Sequence, residues 1–278
     1  MSATSSTPAA SHAGCGPLLI IGGAEDPDAS DMRILPRFVE LAGGSRARVL
    51  ICSAATAEPA STHRGYRRVF KALGAADVTA LSFPTRADAD APSAVRALDE
   101  ATGVFLTGGD QIRLTSHVAG TEFGRRLVER SRDGLLVAGT SAGAAAMPST
   151  MIARGPGSTV CRACVDLAPG LGLWPDVLVD THFDRSGRVH RVMAALAQNP
   201  GVLGLGIDED TAVEVDPDGT MRVLGRGVVT VFDGRVRHTN VADVAPDEPI
   251  ALTHATLHVL PAGYAFDLRA TEPVIPDA

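Results

Sequence analysis

Apolar residues come in short unbroken runs, separated by longer stretches of mixed character. "PLLIIGG" (17–23) is the first run and ends in glycines. After it, residues 31–41 place Leu35, Phe38 and Val39 at helical spacing. The alternation continues with a strand "ARVLICSAA" (47–55), a helix containing 66–73, a strand "DVTALSF" (77–83) and a helix "APSAVRALDEA" (91–101). A strand "GVFLTGGD" (103–110), a helix over 123–132 and a strand "GLLVAG" (134–139) follow. Strands that are apolar throughout are buried on both faces, so this alternation predicts an α/β fold: a mostly parallel sheet flanked by helices. From residue 202 the pattern changes to "GVLGLGID", "TAVEVDPDG" and "TMRVLGRGVVTVFDG", strands with the turn signals "DPDG" and "FDG". The expectation is a β-rich C-terminal layer on the same domain, spanning 17–278.

Residues 1–16, "MSATSSTPAASHAGCG", are small and polar, without a basic start or an apolar core. They read as a disordered tail and not as a signal peptide. The chain of 278 residues is long enough for one large α/β domain. A net charge of −7 without a basic block argues against nucleic acid as a partner. Mean hydropathy is +0.13, and no apolar run approaches the roughly 20 residues of a membrane span. A cytoplasmic enzyme is the expectation.

In parallel sheets, ligands gather beyond the carboxyl ends of the strands. "GGAED", "TGGDQ" and "GTSAG" all fall at such ends. They do not form a phosphate cradle, since the chain has neither GxGxxG after the first strand nor GxxxxGK[ST]. "GTSAG" (139–143) fits G-x-S-x-G, in which glycines let strand and helix approach and push the serine out over the sheet. Ser141 is thus either a nucleophile or the N-cap of the following helix. A serine nucleophile needs a base and an orienting group. Of the histidines, His182 follows an apolar strand at 176–180, which predicts that it sits at the same sheet edge as Ser141; His190 on the next helix reads as structural. "GLGIDEDTAVEV" offers Asp208, Glu209 and Asp210 after another apolar strand. The order Ser, His, acid differs from the Ser, acid, His of α/β-hydrolases. Cys161 and Cys164 form a lone CxxC, "CRAC", in what reads as a loop. Without a second ligand pair, structural or incidental thiols are the better reading than a metal or redox site.

Five motifs, "IIGGAEDPD", "GVFLTGGDQIRL", "VAGTSAGAAAM", "GLGLWPDVLVDTHF" and "LGIDEDTAV", resemble cyanophycinases, with aspartyl dipeptidases of the dipeptidase E type as more distant kin. The resemblance runs from about residue 17 to 267. It implies a flavodoxin-like or class I glutamine-amidotransferase-like fold, a homodimer and a serine peptidase without metal or other cofactor. The implied substrate is an aspartyl-containing peptide; cyanophycin is a polyaspartate carrying arginines on its side-chain carboxyls, and cyanophycinases cut it to β-Asp-Arg. Carried over motif by motif, Ser141 is the nucleophile, His182 its base, and Glu209 the acid chosen from the three. The resemblance also implies an oxyanion hole from the backbone of Gly109, Asp110 and Ala142. Gln111 and Asp180 match positions that hold substrate.

The sequence departs from its relatives after the base. Where they read "DQHF" followed by an arginine-rich loop, this chain has Thr181 and Ser186. Arg188 and Arg191 stay in register, and Arg185 comes one position early beside Asp184. If 187–198 is helical, Arg188 and Arg191 share a face, either solvated or binding a substrate carboxylate, with Asp184 placed to meet a basic group. Thr181, Asp184, Arg185, Arg188 and Arg191 are therefore expected to line the substrate pocket. Losing an amide and moving a guanidinium alters substrate grip and leaves the acyl chemistry intact. An acyl transferase or amidase acting on a small aspartyl metabolite, or a non-catalytic binder, are the alternatives to hydrolysis.

Overall fold

The computed structural model describes residues 16–25, 32–155 and 159–276. The tail assigned to 1–16 lies outside these except for Gly16, which is buried against the carbonyl of Ser131. The elements in chain order begin with β1 (Leu18–Ile21), α1 (Ile34–Leu41), β2 (Arg48–Cys52), α2 (Pro59–Ala72), β3 (Asp77–Leu81) and α3 (Pro92–Glu100). Then come β4 (Gly103–Leu106), α4 (Gln111–Val118), α5 (Glu122–Arg132), β5 (Leu136–Thr140) and the short α6 (Ala142–Ala145). Next are β6 (Thr150–Arg154), β7 (Asp166–Pro169), β8 (Val177–Thr181), α7 (Arg188–Gln198), β9 (Leu203–Ile207) and β10 (Thr211–Val215). The chain closes with β11 (Thr220–Gly225), β12 (Val228–Asp233), β13 (His238–Thr239), β14 (Leu252–Thr253), β15 (Thr256–Pro261), β16 (Ala265–Asp267) and β17 (Glu272–Val274).

The central sheet has the order β17-β16-β11-β10-β1-β5-β4-β2-β3. Strands β1, β5, β4, β2 and β3 are parallel neighbours, as the apolar runs require. Side chains alternate between faces along a strand. Leu18, Ile20, Leu50, Cys52, Val104 and Leu106 accordingly enter one core, while Leu19, Ile21, Val49, Ile51 and Phe105 enter the other. The second core is filled by α1 and α2, where Phe38, Tyr66 and Phe70 close on Phe105 with ring centroids 4.8–5.4 Å away. The β-rich C-terminal region extends this sheet antiparallel through β10, β11, β16 and β17.

The rest of that region does something the alternation does not show. β12 and β15 join β9 and β8 in a separate four-stranded sheet, order β15-β12-β9-β8. α7 covers this sheet, with Val192, Leu196 and Phe183 packed on Leu178 and Phe232. Strand β8, which leads to His182, is thus in a different sheet from β5, which leads to Ser141. α4 was not expected from the pattern; its capping signal is Asp110, whose carboxylate accepts from the N–H groups of Ile112 (2.8 Å) and Arg113 (3.1 Å). Cys161 and Cys164 are not free thiols but a disulfide across a 3-10 turn at Arg162–Cys164. Among the described residues, no helix is long and apolar enough to cross a membrane.

Candidate active site

Ser141 sits between the end of β5 and the start of α6 with φ 51° and ψ −116°. A positive φ at a residue with a Cβ is strained and persists only where its surroundings enforce it. The two glycines of the motif do so: a Cβ on Gly139 would lie 2.7 Å from the Gly143 carbonyl, and one on Gly143 would lie 2.2 Å from the Leu106 carbonyl oxygen. Helix and strand therefore close on each other, and the serine is left pointing out of the turn. Its side chain caps no helix N–H. Its Oγ lies 2.8 Å from His182 Nε2 instead.

His182 follows β8, also at positive φ, 52°. Its Nδ1 is 2.6 Å from Glu209 Oε1. Of the three acids after β9, only Glu209 reaches the ring. Asp208 accepts from the N–H of Val228 at 3.0 Å, and Asp210 pairs with Arg226 at 3.0 Å. The hydrogen bond from His182, and then that from Arg185, hold the Glu209 carboxyl below its ordinary range, so it is ionised at neutral pH. An ionised carboxylate accepts only, so Nδ1 carries the proton and Nε2 presents its lone pair to the Ser141 hydroxyl.

These groups come from two sheets, and one backbone segment aligns them. The carbonyl of Ile21 accepts the N–H of Ser141 (3.1 Å), that of Gly22 accepts the N–H of His182 (2.8 Å), and that of Gly23 accepts the N–H of Asp210 (2.9 Å). Three consecutive carbonyls at the exit of β1 thus set the spacing of the serine, the histidine and the acid-bearing turn. Gly23 has φ 102°, and a Cβ there would lie 2.4 Å from His182 Cε1. Gly23→Ala should push the ring off its partners and lower turnover about tenfold to a hundredfold, the cost of a displacement near 1 Å. Steady-state kinetics on a variant with native-like circular dichroism checks this; unchanged kinetics would show that the ring does not depend on this contact.

The turn after β4 faces the serine, with a Cβ on Gly108 reaching 3.4 Å from that of Ser141. Among the described residues, the N–H groups of Gly109 and Ala142 have no protein acceptor. Asp110 differs from expectation: its N–H donates to the Ala55 carbonyl at 3.0 Å, so it is not available to an oxyanion. The sequence gives no sign of this, because Ala55 belongs to the loop after β2.

Residues 18–223 match the model of peptidase family S51. The chain belongs to peptidase family S51. It is 41 % identical over 257 residues to the cyanophycinase of Thermosynechococcus vestitus, covering 91 % of this chain and 80 % of that one. To the cyanophycinase of a Nostoc species it is 42 % identical over 254 residues, covering 90 % and 85 %. A third relative, the cyanophycinase of Geminocystis herdmanii, is 38 % identical over 260 residues, covering 92 % and 95 %. The crystal structure of a peptidase from an acI-B1 Actinobacterium shares the fold, with a TM-score of 0.66 at 21 % identity over 92 % of this chain and 98 % of that one. As an S51 member the chain is a serine-type peptidase.

Against that family background, the residues expected to line the substrate pocket are mostly bonded to the protein itself. Asp180 is 1 % exposed. Its Oδ1 accepts from Arg188 Nη1 at 3.1 Å and from Arg191 Nη2, and its Oδ2 accepts from Arg191 Nε at 2.5 Å. Burial pushes the Asp180 carboxyl up to about 6 against the pull of Arg191, which leaves it ionised at neutral pH. Arg188 and Arg191 do share a face of α7, but the anion that face meets is Asp180. Arg185 binds Glu209, with Nη2 2.6 Å and Nε 3.0 Å from Oε1. Asp184 Oδ1 accepts from the Glu209 N–H at 3.3 Å. Gln111 Nε2 donates to the carbonyls of Ile152 (3.2 Å) and Ala153 (2.7 Å), fixing β6. Thr181 is buried in β8.

A further carboxylate stands beside the serine. Glu25, two residues beyond Gly23, accepts from Thr140 Oγ1 at 2.6 Å and from Tyr66 OH at 2.7 Å. It ties the residue before Ser141 to α2. Its position in "GGAED" at a strand end was the available signal.

Proposed function

We propose that the protein is a cyanophycinase-type serine hydrolase that cuts the aspartyl backbone of cyanophycin-like peptides through an acyl-enzyme on Ser141, releasing β-Asp-Arg. The observation that carries this is the hydrogen-bonded chain from Ser141 Oγ to His182 Nε2 (2.8 Å) and from His182 Nδ1 to Glu209 Oε1 (2.6 Å). Ser141 Oγ attacks the scissile carbonyl carbon as its proton passes to Nε2, and Glu209 stabilises the imidazolium. The carbonyl oxygen takes the negative charge and receives the N–H groups of Gly109 and Ala142. The C–N bond then breaks, and the amine leaves with the proton from Nε2. Water, deprotonated by His182, attacks the ester; the C–Oγ bond breaks and the proton returns to Oγ. The protein's own groups complete each step, so the reading needs no cofactor.

Arg188 supports recognition of a substrate carboxylate. Its side chain is 24 % exposed and reaches Asp180 through Nη1, which leaves further donors of the guanidinium for a ligand. In this reading one domain, 17–278, acts as a homodimer in the cytoplasm.

The test incubates the protein with cyanophycin and with small β-aspartyl amides, and reads products by mass spectrometry. Release of β-Asp-Arg is expected. Free arginine in its place would assign the cut to the isopeptide bond. Turnover of the small amides with cyanophycin untouched would assign a different aspartyl substrate.

A further inference from the structure

One carboxylate oxygen accepts from two side chains at the candidate site. Glu209 Oε1 lies 2.6 Å from His182 Nδ1 and also takes Arg185 Nη2 at 2.6 Å and Nε at 3.0 Å. Arg185 is held near by the chain itself, since its N–H donates to the His182 carbonyl at 3.1 Å in the turn before α7. Its side chain is 65 % exposed while that of Glu209 is 24 % exposed, so the guanidinium closes the acid from the solvent side.

The consequence is electrostatic. When His182 takes the serine proton it becomes a cation, and the negative charge that stabilises it is shared with Arg185. The other charged groups on the elements around the ring have partners of their own. Asp180 on β8 is matched by Arg188 and Arg191, and Asp210 before β10 by Arg226. Asp184, in the same turn as Arg185, accepts from the Glu209 N–H at 3.3 Å, and Asp208, after β9, accepts from the Val228 N–H at 3.0 Å.

We propose that Arg185 is a positioning residue that orients Glu209 and, by sharing its charge, restrains protonation of His182, extending the serine's reactivity to lower pH. This rests on the reading of Ser141 as nucleophile and His182 as its base. Arg185 thereby acts on the base through its acid and not on the substrate.

Labelling of Ser141 by a fluorophosphonate tests this without knowledge of the substrate. The Oγ–P bond forms, fluoride leaves, and the hydroxyl proton passes to His182. The second-order labelling rate is measured against pH for the parent, Arg185→Ala, Arg185→Gln and Arg185→Lys, each shown to be folded by circular dichroism. Without the guanidinium the imidazolium is better stabilised, so the acidic fall in rate should move to higher pH in the Ala and Gln variants. At a pH near the parent's midpoint, their rates relative to plateau should drop roughly twofold to fourfold, a modest size because the pair is solvent-screened. Arg185→Lys should return the fall to near the parental position. A midpoint unmoved or lowered in both the Ala and Gln variants overturns the proposal. A parent that is not labelled at Ser141 overturns the catalytic reading itself, and this inference with it.

Discussion

Ser141→Ala lowers turnover by at least about a thousandfold and leaves the folded protein intact. The size follows from how such groups act: serine and base operate as a unit, and removing either forfeits nearly all that the unit contributes. His182→Ala should cost a similar factor, and the double variant little more than either alone. The fold should barely respond. Ser141 Oγ makes one side-chain hydrogen bond, to His182, and losing such a bond costs on the order of 1 kcal/mol. The backbone at 141 is held by its neighbours, with its N–H on the Ile21 carbonyl and its carbonyl on the N–H of Ala145. Kinetics on the substrate found by mass spectrometry, paired with thermal melts, separates the two effects. Turnover near the parental value in either single variant would remove Ser141 and His182 from the chemistry.

What the sequence discloses is what local patterning and short motifs encode. Continuous apolar runs such as "LLII" and "VLIC" show that their strands are covered on both faces, and the cores on either side of β1 and β2 bear this out. "GTSAG" announces a tight strand-to-helix turn. The pairing of β8 and β9 is different in kind. Their residues are as apolar as those of β1 or β5, and nothing along the chain says that β9 pairs with β12 and not with a central strand. The meeting of His182 with Ser141 therefore depends on the Ile21–Gly22–Gly23 carbonyls, which carry no side-chain signal. Backbone commitments are equally silent. That the Asp110 N–H is spent on Ala55 is visible only in three dimensions. The residues after His182 were legible by type and not by partner. An arginine looks the same in sequence whether its anion is a substrate carboxylate, Glu209 or Asp180.

Asp180 is where that difference has the largest consequence for stability. Its carboxylate lies almost wholly inside the protein and holds Arg188 and Arg191, whose side chains are 24 % and 13 % exposed. The contact fastens the first turns of α7 to β8, the strand that delivers His182. A buried ion pair need not stabilise a fold relative to an apolar replacement, but removing one partner strands the other's charge, at about 3–5 kcal/mol. Asp180→Ala should therefore lower the melting temperature by roughly 5–9 °C, at about 2.1 cal/mol/K of unfolding entropy per residue over 278 residues. Adding Arg188→Met and Arg191→Met to that variant should recover much of the loss, because no uncompensated guanidinium is then left inside. A melting temperature within a degree or two of the parent in Asp180→Ala would show that water reaches the arginines. Failure of the methionines to restore stability would show that the cost comes from lost packing at Asp180 and not from stranded charge.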